Sequence, residues 1–69
     1  MKVDYQSSVL TNAQAGAKFL AEAILESNNA IYEPDAKKRE KHLSELRGHL
    51  QCATAHFEAQ FEAQTLADA

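Results

Sequence analysis

The chain has 69 residues, a formal net charge of −3 and 45% hydrophobic residues. That length allows one small domain, and the acidic balance excludes direct nucleic-acid binding driven by overall charge. A single cysteine, Cys52, excludes an intrachain disulfide. With no long apolar run and no secretory leader, the sequence predicts a cytoplasmic protein without a membrane segment.

Residues 1–7 read as an N-terminal arm. Only Met1 to Tyr5 alternates in period two, with Val3 and Tyr5 between Lys2 and Asp4. A first helix is predicted over 9–31. Ser8 and Thr11 are candidate N-caps, because a hydroxyl accepts from a free backbone N–H. Ala13, Ala17, Leu20, Ile24 and Ile31 share one stripe at steps of three, four or seven. Phe19 and Ala23 widen that stripe, Asn28 interrupts it, and Gly16 lies inside the helix.

The break falls at 32–35, Tyr32-Glu33-Pro34-Asp35. Proline suits the first turn of a helix, and the residue before it avoids helical angles. A second helix is predicted over 34–64, with a tail at 65–69. Its heptad stripe reads Ala36, Arg39, Leu43, Leu46, Leu50, Ala53, Phe57 and Gln60, with Phe61 beside it.

A short turn between two helices makes an antiparallel hairpin. Folding the stripes together pairs Ile24 with Leu43, Leu20 with Leu46, Ala17 with Leu50, and Leu10 with Phe57. Phe19, Phe57 and Phe61 then lack a full complement inside one hairpin. A core of this size supplies only about 3–5 kcal/mol. The fold class is therefore all-α, an antiparallel two-helix hairpin that forms a homodimer, a four-helix bundle. Leu20, Ile24, Leu43, Leu46, Leu50, Phe57 and Phe61 are its candidate core and dimer residues.

His42, His49 and His56 recur every seven residues. Seven residues span about 10.5 Å of helix, too far for two ligands of one ion. The closer pairs, Glu45 with His49 and Cys52 with His56, supply two ligands each where zinc needs three or four. No metal and no cofactor are expected, and the histidines read as the polar flank of the seam. No nucleophile, base and orienting group assemble from the sequence, which predicts a protein that is not an enzyme.

Candidate partner-binding residues follow from charge and aromaticity. Glu22 and Glu26 lie one turn apart and form an acidic strip with Glu33. Tyr32 adds an aromatic anchor of the type enriched at interfaces. The run Lys37, Lys38, Arg39, Glu40, Lys41 places cations where the helix dipole disfavours them. Arg39 occupies a seam position within that run.

In length, two-helix build and absence of a catalytic motif, the whole chain resembles the phage anti-quorum-sensing proteins, small inhibitors that dimerise through helical hairpins. The resemblance implies action in a host bacterial cytoplasm. Its implied partners are the LuxR-type transcription regulator LasR, blocked at its DNA-binding region, and the type IV pilus assembly ATPase PilB. It carries over no residue roles. Two alternatives share the outline. One is a phage sponge that sequesters a cyclic nucleotide, with Leu50 to Ala55 where such proteins carry glycine and methionine. The other is a structural coiled-coil assembly module.

Overall fold

A computed structural model describes residues 4–68. It contains two helices, α1 over Tyr5–Tyr32 and α2 over Ala36–Asp68, packed side by side. The expected all-α hairpin is the observed fold. The molecule is a thin plate, 54 × 17 × 12 Å.

Both helices are longer than expected. The α1 helix starts at Tyr5 because Asp4, not Ser8 or Thr11, is its N-cap. The Asp4 carboxylate accepts from Ser7 N at 3.1 Å, satisfying a backbone donor that a helix start leaves free. The described part of the expected arm is therefore helical from Tyr5, and residues 1–3 lie outside the described residues. Thr65 to Asp68, expected as tail, continue α2; residue 69 lies outside the described residues.

The turn is tied by short-range bonds. Glu33 is extended, with φ −84° and ψ 114°, the conformation that a following proline imposes. Pro34 precedes α2 instead of opening it. Asp35 Oδ1 accepts from Lys37 N at 3.0 Å, and Glu33 Oε1 accepts from Asp35 N at 3.1 Å. The Arg39 side chain donates to the carbonyls of Glu33 and Pro34 at 3.2 and 3.3 Å. This clasp satisfies main-chain acceptors beyond the end of α1.

The seam between the helices is not the one expected. On α1 it runs through Asn12, Gly16, Phe19, Ala23, Glu26 and Ala30, all buried or half-buried. Several of these stand one residue before an expected position: 12 for 13, 16 for 17, 19 for 20, 23 for 24 and 30 for 31. One residue is a rotation of about 100°. On α2 the seam runs through His42, Leu46, His49, Ala53, His56, Gln60 and Ala63. Leu46, Ala53 and Gln60 belong to the expected stripe. Leu43, Leu50 and Phe57 give way to the histidines, and the rungs set Leu46 level with Glu22 instead of Leu20.

The only buried hydrophobic side chains among the described residues are alanines: Ala23 (1% exposed), Ala30, Ala53 and Ala63. Small side chains bring the backbones close, and the Phe57 ring fills the space over Gly16. The leucines and isoleucines expected to meet inside the hairpin do not. Leu20, Ile24, Leu43 and Leu50 are exposed, Ile24 at 58% and Leu43 at 48%.

Candidate functional site

The heptad positions divide the plate into two flanks. Gly16, Ala23 and Ala30 of α1 and Leu46, Ala53 and Gln60 of α2 take the a positions of the seam. In an antiparallel pair with a and d positions facing, the positions beside a on both helices fall on the same side. Leu10, Ala13, Ala17, Leu20 and Ile24 of α1 therefore share a flank with Leu43, Leu50, Phe57 and Phe61 of α2. This flank is mostly apolar, with Arg47 and Thr54 among its leucines. Its large side chains are exposed, up to 75% at Phe61. An open hollow of about 680 Å³ runs along α2 there, lined by Leu43, Leu46, Arg47, Leu50, Thr54 and Glu58 among others.

The opposite flank is polar, and the histidines order it. His42 Nδ1 lies 2.6 Å from Glu26 Oε2, with the carboxylate as acceptor. His49 Nδ1 lies 3.3 Å from Glu22 Oε2. His56 Nδ1 lies 3.0 Å from Asn12 Oδ1. The Asn12 amide nitrogen donates to the Ser8 carbonyl at 2.9 Å, which leaves Oδ1 turned towards the imidazole. The Phe19 ring stacks against two of these imidazoles, 5.5 Å from His56 at 9° and 6.3 Å from His49 at 27°. Asn12–His56, Phe19–His49 and Glu26–His42 are successive rungs, each seven residues further along α1 and seven residues back along α2. The histidines are thus part of the seam itself. Each presents a polar edge to one α1 partner, and His49 and His56 also present a ring face to Phe19.

This arrangement corrects the expected acidic docking strip. Glu22 and Glu26 do not form a free outer surface. Glu26 is engaged by His42 with its side chain only 16% exposed, and Glu22 is engaged by His49. Glu33 and Arg39 belong to the turn clasp. Tyr32 alone of the five candidates is fully presented, 82% exposed at the end of the hairpin. Beside it lies an open hollow of about 460 Å³ lined by Asn28, Asn29, Tyr32, Glu33 and His42. Phe19, expected to lack a mate inside the hairpin, is the stacked centre of the histidine ladder.

The histidine repeat was visible in the sequence, but its partners were not. Asn12 and His56 are 44 residues apart, and Glu26 and His42 are 16 apart. The closer pairs read from the sequence do not form ligand sets. His49 and His56 turn to α1, and Cys52 is exposed. One mixed cluster does assemble: donor atoms of Glu26, His42 and Glu45 lie within 4.8 Å of one another. Glu26 and His42 satisfy each other there at hydrogen-bond distance.

No helix among the described residues is long and apolar enough to cross a membrane. Comparison with protein-family models, with curated proteins and with solved structures returns no match to this chain.

Proposed function

We propose that this protein acts by stoichiometric binding to a partner protein, with the turn end of the hairpin as the docking point and Tyr32 as its anchor. The observation that carries this reading is the presentation of Tyr32. An aromatic side chain 82% exposed stands on a turn held by the Asp35 cap and the Arg39 clasp. A rigid aromatic loses little freedom on binding, and such residues dominate interface energetics. Asn28, Asn29 and Glu33 around the adjoining hollow supply hydrogen-bonding groups for a polar rim.

The concrete form of this reading is a phage-type inhibitor of a LuxR-type transcription regulator, with the pilus assembly ATPase as a further target. Its test is a DNA mobility-shift assay with the regulator LasR. Wild type releases the DNA in proportion to protein added. Tyr32→Ala weakens release about 30-fold, the effect of losing a 2 kcal/mol anchor. Reversal of Glu22 and Glu26 is unsuitable here, because both carboxylates meet histidines in the seam. Undisturbed DNA binding at excess protein overturns the regulator reading. Retention of a cyclic nucleotide through gel filtration would put the sponge alternative in its place.

A further inference from the structure

We propose that the apolar flank is the seat of a second copy of this chain, laid face to face across a two-fold axis perpendicular to the helices, so that the two turns point to opposite ends of a four-helix bundle. This surface is separate from the turn end and stands without it.

The hairpin's own seam buries only alanines among its hydrophobic residues, and alanine contributes little to the apolar burial that stabilises a fold. Phe19 and Leu46 are half-buried in the seam, but most large apolar side chains face outward. Leu20, Ile24, Leu43, Leu50, Phe57 and Phe61 lie together on one flank, whereas the opposite flank carries the histidine ladder. The whole molecule is 54 Å long and 17 Å wide, so a face of that outline is about 900 Å², of the order of the roughly 800 Å² per partner of a standard stable interface. The large apolar side chains from Leu43 to Phe61 occupy about 27 Å of its length. The surface is thus large enough, and apolar enough, to be the missing core.

A perpendicular axis lays α2 antiparallel on the partner's α2 and α1 on the partner's α1. Charge favours this arrangement. The first half of α2 carries Lys37, Lys38, Arg39, Lys41 and Arg47 against two acids, while the second half carries Glu58, Glu62 and Asp68 and no cation. Antiparallel stacking sets the basic half of each α2 over the acidic half of the other. An axis along the hairpin would lay α2 on α1 and lose this match.

Shape favours the same arrangement and sets the register. The histidine rungs place Leu50 of α2 level with Lys18 of α1. An axis at that level puts Leu50 opposite its own copy and Leu43 opposite Phe57. On α1 it brings Ala17 within one residue of the level of Leu20, and Ala13 within one residue of the level of Ile24, small near large, as a close-packed layer requires. One register therefore serves both helix pairs.

Sedimentation equilibrium at micromolar protein should give twice the 7.6 kDa chain mass, and Leu50→Glu should shift the equilibrium towards monomer. Because Leu50→Glu can unfold as it dissociates, the register is read separately by cross-linking in a Cys52→Ser background. Leu50→Cys should form a disulfide-linked dimer under mild oxidation. Asn29→Cys, beside the turn, should not. A helical monomer at micromolar protein overturns the proposal, and so does a dimer that cross-links through Asn29→Cys and not through Leu50→Cys. A folded monomer that still releases DNA from the regulator would overturn this inference and leave the binding function standing. A dimer that releases none would do the reverse.

Discussion

The Phe57 ring lies over Gly16 so closely that a Cβ built on the glycine would stand 2.7 Å from the ring Cε1. That contact links the seam to the apolar flank. Gly16 belongs to the buried seam, and Phe57 is the inner edge of the apolar flank. Around Gly48 no atom lies within 4 Å of an added Cβ. Gly48→Ala should therefore gain about 0.5–1 kcal/mol from helix propensity alone. Gly16→Ala should lose stability by about 1 kcal/mol, because the propensity gain is outweighed by overpacking against the ring. Urea denaturation of the two variants reads the difference directly. Equal gains would mean that the ring moves away without cost.

Phe19 is the second contact that the hairpin depends on. Its ring is stacked on both His49 and His56, and it is the least exposed of the three phenylalanines. Phe19→Ala should cost about 2–4 kcal/mol, somewhat under the range for a fully buried phenylalanine. Phe61→Ala should leave the hairpin itself intact, because Phe61 is 75% exposed. Its effect should appear only in self-association. Thermal unfolding at two protein concentrations separates the cases: the Phe19 loss is independent of concentration, whereas the Phe61 loss shrinks towards zero on dilution, where both proteins are monomeric.

The Glu26–His42 pair should behave as a hydrogen bond between helices. His42→Ala leaves the half-buried Glu26 carboxylate without its imidazole partner, at a cost of about 1–3 kcal/mol. His42→Ala together with Glu26→Ala should recover part of that loss. Chelator should leave the melting temperature of the wild type unchanged, since Glu26 and His42 already satisfy each other at 2.6 Å. A marked drop with chelator would instead assign the Glu26, His42 and Glu45 cluster to a bound ion.

Arg39 acts through its fork of donors. One side chain reaches two consecutive carbonyls, of Glu33 and Pro34. Arg39→Ala should destabilise the hairpin by about 1 kcal/mol, and Arg39→Lys should not restore it, because an ammonium lacks the planar fork. Amide exchange should accelerate first at Glu33, Asp35 and Ala36. Unchanged protection there would show that the Asp35 cap alone holds the turn.

The sequence by itself determined that this chain makes two long helices joined at Pro34. The three-and-four periodicity, the alanine content and the single proline all point to that answer, and local propensity is enough to express it. It also showed a histidine every seven residues, which is a statement about one face of one helix. What it left open was which stripe of each helix meets the other. On α1 the stripe through Ala13, Ala17, Leu20 and Ile24 and the one through Asn12, Gly16, Phe19 and Ala23 have the same spacing. Periodicity cannot choose between stripes that differ by a rotation of one residue. The larger side chains made the first stripe look like the seam. The tertiary structure decided for the second, because glycine and alanine let the backbones approach closely, and because Asn12 and Glu26 find His56 and His42 in the same antiparallel register. Those pairs span 44 and 16 residues, so only the folded chain brings their atoms together. The same choice turned the leucines outward and folded the expected acidic strip into the seam.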